Sequence, residues 1–472
     1  MSIFRQYDIR GIVGKTLKKS TAQKIAYIFG RMLKQRTEDA FVAIGHDARL
    51  SSESLSRAAV EGLLASGVNV TDIGLVPTPI LYYATFKLAV TGAMMITGSH
   101  NPPEYNGIKL CIGNDTIYGE AIKEIEKKME ETTIKENKIG TYAKTYISGS
   151  YIEMIQSGFS GISEMLKRLE RPVKIVIDSG NGTAGIIAPE LFRNMGFELI
   201  DLYSKPDGNF PNHHPDPTVE VNLKDLRKKV KETGSDFGIA YDGDADRIGV
   251  VDERGTIIWG DKLLLIFALD VINEWKQKEP PVIISEVKSS SVLYEGVRKA
   301  GGKIIMWKTG HSLIKAKMKE TGAILAGEMS GHLFFKDRYY GYDDAIYAGL
   351  RLAEIFVKKK INNRQFKLSE LIENMPKTVA TPEIRTNCPD TIKHKIPELV
   401  QAAVNGKNYS DVKEIVTIDG VRIVFDSGWA LVRASNTQPV LVSRFEADTK
   451  ENLENIKFRI NNIVTQCIKS LS

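Results

Sequence analysis

Several things are scarce in this sequence, and each scarcity removes a class of protein. Cysteine occurs three times in 472 residues, at Cys111, Cys388 and Cys467. No CxxC pair is among them, so neither a disulfide framework nor a thiolate zinc cluster can be argued, and a reducing compartment is expected. No apolar run reaches the about 18 residues of a membrane span; the run from 263 to 269, LLLIFAL, stops at Asp270. The opening MSIFRQYDIRG carries charges where a secretory signal needs an apolar core. An excess of one charge sign is also missing: 64 Lys plus Arg against 58 Asp plus Glu leave a net charge of +6, too dilute for a nucleic-acid surface. A soluble cytoplasmic protein without nucleic-acid or membrane partners is the expectation. Hydrophobic residues at 42% and charged residues at 26% describe an ordinary globular chain. At roughly 100 to 200 residues per domain its length corresponds to about three domains.

Three segments share one plan: a short β-branched run, a polar turn, a helical stretch ending near Gly, then a second strand. They run from FVAIGHDARLSS to VNVTDIG, from VKIVIDSGNG to FELIDLY, and from PVIISEVKSS to GKIIMWKTG. Each places a polar turn at the carboxyl end of a strand, where open parallel sheets bind ligands. The last hundred residues differ, with the successive strands EIVTIDG, VRIVFDS, WALVRAS and PVLVSRFEA followed by a helix from about Lys450 to Ile468. That order is α+β. The expected units are 1–147, 148–255, 256–370 and 371–472.

Polar loops interrupt this framework. GAMMITGSHNPPEYNGIK delivers Ser99 from an apolar strand into a loop, where it is either an exposed hydroxyl or a local backbone acceptor. No G-x-S-x-G elbow is present, so an esterase triad has little support. FGIAYDGDADRIGVV sets Asp242, Asp244 and Asp246 at alternate positions between apolar strands. Carboxylates projecting to one side suit a hard divalent ion, with a solvated acidic turn as the alternative. An EF-hand fails because the sixth loop position is Arg247 and strands flank the loop. Gly180, Gly182 and Gly185 spell G-x-G-x-x-G, but Asp178 ends the strand where its charge opposes a pyrophosphate. GNFPNHHPDP, with His213, His214 and Asp216, reads as a stiff proline-rich loop more readily than as a metal site.

Three further loops carry hydrogen-bonding groups. AILAGEMSGHLFF offers Glu328, Ser330 and His332, and a carboxylate beside a hydroxyl can bind vicinal sugar hydroxyls or simply cap a turn. KTGHS holds Gly310 and His311. WALVRASNTQPVLV joins two strands through Arg433, Ser435, Asn436 and Thr437, a set able to cradle a phosphate or form a plain hairpin.

In the order FRQYDIRG, TGSHNPPEYNGIK, DGNFPNHHPDP, DGDADR, GEMSGH and RASNTQP, these segments resemble the α-D-phosphohexomutase family over nearly the whole chain. GSHNP, YNG and RASNTQP favour its bifunctional phosphomannomutase/phosphoglucomutase branch. The resemblance implies three similar mixed-sheet α/β domains and a smaller C-terminal α+β domain around a central cleft, with no dinucleotide. It also implies phosphate transfer between O1 and O6 of a hexose phosphate, through phosphorylated Ser99 and a hexose 1,6-bisphosphate. Asp242, Asp244 and Asp246 with Ser99 would hold Mg²⁺, and glucose 1,6-bisphosphate would serve as activator. Lys109, His100 and His311 are the implied acids and bases, with Arg247 supporting the phosphoserine. Glu328 and Ser330 would grip the sugar, while Arg433, Ser435, Asn436, Thr437, Tyr7, Arg10, Lys288 and the Gly310 loop would hold the other phosphate end. Phosphoglucosamine mutase, a phosphatase using the same serine and metal, and a noncatalytic phosphosugar or cation sensor are the alternatives. A monomer or weak oligomer is expected, with the RASNTQP domain the natural mover.

Overall fold

The computed structural model describes residues 2–135, 140–407, 409–435 and 439–471. Four sheets follow one another along the chain. In the first, Phe41–His46 lies between Asn69–Leu75 and Gly92–Ile96, parallel to both, and Gly92–Ile96 pairs antiparallel with Tyr105–Ile112. The second repeats this: Lys174–Asp178 is parallel to Glu198–Leu202 and Phe237–Tyr241, and Phe237–Tyr241 turns back into antiparallel Ile248–Asp252. So does the third, where Val282–Glu286 is parallel to Lys303–Trp307 and Leu325–Gly327, and Leu325–Gly327 pairs antiparallel with Leu333–Phe335. The expected repetition is real, and it extends two strands further than the sequence pattern showed, to a third parallel strand and its antiparallel partner.

The helices that link the first two strands of each unit, Ser52–Ala65, Ala188–Met195 and Ser291–Lys299, are followed by Gly67, Gly196 and Gly301 at φ of 84°, 101° and 90°. Only glycine adopts that left-handed stop without strain, so the same punctuation ends each helix. The fourth sheet is antiparallel throughout, built on Val412–Val416, Val421–Phe425, Gly428–Ala434 and Val440–Ala447. Two strands absent from the sequence reading, Val379–Ala380 and Ile384–Asn387, also pair with Val440–Ala447. The last helix runs Lys450–Leu471.

The units are not independent bodies. Strand Ile257–Ile258 pairs with Ile248–Asp252, so the second sheet continues past the expected division at residue 255. Helix Ala345–Asn362, buried on nearly every side, leaves the third sheet and packs on the second: the rings of Phe356 and Phe237 lie 5.2 Å apart. One apolar core therefore runs through the first three units, while the fourth has its own. The fourth unit is joined to the third by Arg422, which lies 3.8 Å over the Trp429 ring and donates to the carbonyls of Val287 and Ser289. Among the described residues, no helix is long and apolar enough to cross a membrane.

Candidate active site

The Ser99, DGDADR and GEMSGH loops occupy the same place in their units, the connection between the third parallel strand and its antiparallel partner. Each sheet thus delivers one polar loop from the carboxyl end of its third strand. A buried acid closes the central parallel strand of each of the three α/β units and accepts from the backbone N–H two residues on: Asp47 from Arg49, Asp178 from Gly180, Glu286 from Lys288. In units one and three the same acid also reaches the functional loop. Asp47 accepts from the Gly98 N–H and Thr97 hydroxyl, and Glu286 accepts from the Met329 N–H and Thr309 hydroxyl.

Arg49 completes the first of these anchors. Fully buried, its guanidinium donates to the carbonyls of Ser99 at 2.8 Å, Asn101 at 2.5 Å, Pro102 at 2.6 Å and Tyr105 at 2.9 Å. Ser99 itself is held at φ 48°, a left-handed conformation costly for a residue with a Cβ. Sequence inspection missed Asp47, Arg49 and Glu286 as site residues. Their signal was legible as an acid-x-cation turn, DAR and EVK, ending two of the three repeated strands.

The second loop closes on the first. Ser99 Oγ donates to Asp242 Oδ2 at 2.7 Å. A Cβ on Gly243 would lie 2.5 Å from the Ser99 carbonyl oxygen, so only glycine permits this approach. Asp244 Oδ2 accepts from Thr78 Oγ1 at 2.6 Å, Thr97 Oγ1 at 3.1 Å and Lys109 Nζ at 2.7 Å, all from the first unit. Lys109 also donates to Asp246 Oδ2 at 2.5 Å. Burial alone would lower the Lys109 pKa, but Asp244 and Asp246 reverse this and raise it, so the ammonium is a fixed charge. Burial and the neighbouring carboxylates of Asp246 and Asp244 push Asp242 well above the usual carboxylate range.

These three carboxylates fit a divalent cation. All are buried, one ligand atom from each lies within 4.8 Å of the others, and Asp244 Oδ1 and Asp246 Oδ1 have no hydrogen-bond partner among the described residues. A buried charged oxygen without a partner is costly, and a cation is the natural partner for an acid cluster carrying one lysine.

His100 Nδ1 lies 3.1 Å from Ser99 Oγ, and burial, Arg247 and Arg10 hold its pKa well below the ordinary imidazole value. Arg10 pairs with Asp8 at 2.6 Å and with Asn101 of the serine loop. Arg247 Nε donates to His332 Nε2 at 2.9 Å, linking the acidic loop to the third unit. The sequence offers His332 only as a member of its motif; the structure puts it against Arg247, close to Asp246. His311 is buried, and burial with Lys315 lowers its pKa strongly.

The remaining residues form the opposite side. Glu328 Oε1 accepts from the Gly310 N–H at 2.7 Å, and Tyr7 donates its hydroxyl to the Thr309 carbonyl at 2.6 Å. Gly310, at φ 128°, lies so close to Tyr7 that a Cβ would fall 2.6 Å from the ring. Ser330 is partly exposed. Lys288 Nζ pairs with Glu383 at 2.7 Å, across the joint between units three and four. Arg433 pairs with Asp419 at 3.0 Å, and Asp419 also accepts from the Thr309 N–H. The Ser435 carbonyl accepts from Lys393 at 2.6 Å. Asn436 and Thr437 lie outside the described residues.

A serine held on a carboxylate, a buried acid triad and fixed cations, gathered by the loops of three similar α/β units and a C-terminal unit, define a four-unit α/β class of enzyme with one shared polar site. Comparison with known proteins agrees. Phosphoglucomutase/phosphomannomutase alpha/beta/alpha domains I, II and III match residues 1–136, 149–255 and 259–379, and the C-terminal domain matches 383–463. The chain belongs to the phosphoglucomutase/phosphomannomutase family of enzymes. A phosphomannomutase/phosphoglucomutase of Pseudomonas aeruginosa is 45% identical over 461 residues, spanning 98% of this chain and 95% of that protein. A phosphoglucomutase of Neisseria gonorrhoeae is 42% identical over 467 residues, spanning 98% of this chain and 96% of that protein. The crystal structure of a phosphoglucomutase/phosphomannomutase family protein from Burkholderia thailandensis superposes with a TM-score of 0.88 at 41% identity, covering 98% of this chain and 97% of that one.

Proposed function

We propose that the protein interconverts the 1- and 6-phosphates of mannose and glucose through phosphorylated Ser99 and an enzyme-bound hexose 1,6-bisphosphate. The observation that carries this reading is the lock between two loops: Ser99 Oγ on Asp242, in a cluster neutralised on one side by Lys109. A divalent cation, expected to be Mg²⁺, would be held by Asp242, Asp244 and Asp246 beside Ser99, where it would draw charge from phosphoryl oxygens.

The chain's own groups would do the rest. Phosphoryl transfer is governed by position and charge, so the strained Ser99 backbone and its Arg49 clamp present Oγ in one orientation. In the first half-reaction the bond from phosphorus to Oγ breaks and a bond to the sugar hydroxyl oxygen forms; the hydroxyl proton leaves to a base and Oγ takes one up. The bisphosphate turns end for end and the steps reverse. Lys109 serves as a fixed charge in this scheme, because its pKa is raised and both neighbouring carboxylates hold its protons. His100, beside Oγ and biased toward neutral imidazole, and His311 are the groups suited to receive a proton. Glu328 and Ser330 would bind the ring hydroxyls shared by mannose and glucose. Lys288 and Arg433, released from Glu383 and Asp419, would hold the phosphate that is not reacting. Glucose 1,6-bisphosphate would prime Ser99.

A coupled assay with mannose 1-phosphate, glucose 1-phosphate and glucosamine 1-phosphate tests the reading. Efficient isomerisation of the first two is expected. Phosphate release outrunning isomerisation would make the protein a phosphatase, and preference for the amino sugar would overturn the assignment of sugar.

A further inference from the structure

We propose that Glu383 is a built-in competitor for the phosphate subsite, a carboxylate that occupies Lys288 in place of a phosphate and gives it up when a phosphorylated sugar binds. The inference rests on the assignment of Lys288 and Arg433 to the phosphate that is not reacting. Lys288 belongs to the third unit and Glu383 to the fourth, just before strand Ile384–Asn387. Glu383 Oε1 accepts from the buried Lys288 Nζ at 2.7 Å. The charge of Lys288, aided by Arg385 and Arg433, draws the Glu383 carboxyl down to about 2 against the burial that would raise it. One acid of the fourth unit therefore acts on both cations assigned to the phosphate.

The pair is built to open, because each partner has a second one. Glu383 Oε2 lies 3.6 Å from the guanidinium of Arg385, whose side chain is 58% exposed, so a displaced carboxylate has a cation to turn toward at the surface. Lys288 Nζ lies 3.8 Å from Glu286 Oε1. Glu286 is fixed by the Lys288 N–H, the Thr309 hydroxyl and the Met329 N–H, so it stays in place when Glu383 leaves. Arg433 has a similar arrangement: Asp419 Oδ2, its partner at 3.0 Å, also accepts from the Thr309 N–H. Other ties hold the joint while the pair is open. Arg422 donates to the carbonyls of Val287 and Ser289, and the Ser291 hydroxyl donates to Glu446 at 2.7 Å.

A phosphate monoester carries about 1.5–2 negative charges at neutral pH and three strong acceptor oxygens, against one charge and two oxygens on a carboxylate, so it displaces Glu383 from Lys288. A buried ammonium left without a counter-charge is costly. Glu383 returns to Lys288 whenever the phosphate leaves, as the proposed turn of the bisphosphate requires. The same residue thus weakens substrate binding and eases release.

The test is calorimetric titration of the full chain with inorganic phosphate and with glucose 6-phosphate, both in EDTA. If Glu383 covers Lys288 in about nine molecules of ten, freeing the lysine tightens phosphate about tenfold. Glu383→Gln, shown to be folded by its thermal transition, should bind both probes more tightly by that factor, and adding Lys288→Met should remove the gain. Glu414→Gln, an exposed change in the same unit, should bind as the parent does. Equal or weaker binding by Glu383→Gln would make the carboxylate a positioning partner of Lys288 and overturn the proposal, as would an equal gain in Glu414→Gln. Crystals of the unaltered protein with glucose 6-phosphate decide the matter even where the variant fails to fold. Glu383 turned from Lys288 to Arg385 is expected, and a phosphate bound beside an intact Lys288–Glu383 pair overturns the proposal. If the parent isomerises glucose 1-phosphate while Glu383→Gln binds no more tightly, this inference alone fails; tighter binding in a protein without isomerase activity supports it and sinks the proposed reaction.

Discussion

Lys109→Met removes the strut between the first and second units. Its ammonium lies 2.7 Å from Asp244 Oδ2 and 2.5 Å from Asp246 Oδ2, and all three side chains are buried. At an effective dielectric of about 20, each contact is worth roughly 6 kcal/mol of Coulomb attraction. Desolvation of the ammonium offsets much of this, and removing one partner of a buried ion pair typically costs about 3–5 kcal/mol, because the surviving charges are left uncompensated. Methionine preserves most of the volume, so packing contributes little. In EDTA the variant should unfold about 4–6 °C below the parent, at roughly 1.3 °C per kcal/mol for a body the size of the first three units together. A divalent cation binding only the folded state adds about 2.7 kcal/mol at one hundred times its dissociation constant. It should rescue the variant more than the parent, because it relieves a larger repulsion. Calorimetry with EDTA and with Mg²⁺ measures both. Equal transition temperatures in EDTA, or equal Mg²⁺ shifts in the two proteins, would refute the reasoning.

Two further outcomes follow from the same geometry. Lys288 holds the carboxyl of Glu383 down to about 2; a folded-state pKa depressed in this way stabilises above the unfolded value near 4.5 and is lost as pH falls through about 2. Glu383→Gln should therefore cost on the order of 3 kcal/mol at pH 7, with the gap to the parent closing toward pH 3 in thermal unfolding, and a pH-independent gap would contradict the pairing. Arg49→Lys keeps the charge but loses the planar fork that reaches four carbonyls of the serine loop. Mutase kcat should fall about 100-fold with KM changed less than about threefold, as for a misplaced reacting atom, whereas a loss confined to KM would assign Arg49 to substrate binding.

Repetition was readable because strand, turn and glycine stop recur at similar spacing, and each signal is local. The acidic loop was readable for the same reason, since alternate aspartates between apolar strands need no partner to be noticed. What holds these loops together was not readable. Lys109 and Asp244 are 135 positions apart, Arg247 and His332 are 85 apart, and no periodicity announces either meeting. Helix Ala345–Asn362 follows the third unit's strands but packs on the second sheet, which blurs the division of the chain that composition implied. Strand Ile384–Asn387 escaped because its exposed polar residues lack alternation and its partner comes some fifty residues later. Arg49 and Glu286 sat in segments already recognised as repeats; only their bonds to a neighbouring loop distinguish them from ordinary turn residues.

The central claim is that a phosphoryl group travels through Ser99. Intact-mass and peptide analysis of the protein after incubation with glucose 1,6-bisphosphate and Mg²⁺ tests it most directly. One added phosphoryl group on the Ser99 peptide is expected, discharged when mannose 1-phosphate is supplied and absent in Ser99→Ala. Full mutase turnover with Ser99 never phosphorylated, or a fully active Ser99→Ala, would contradict the account.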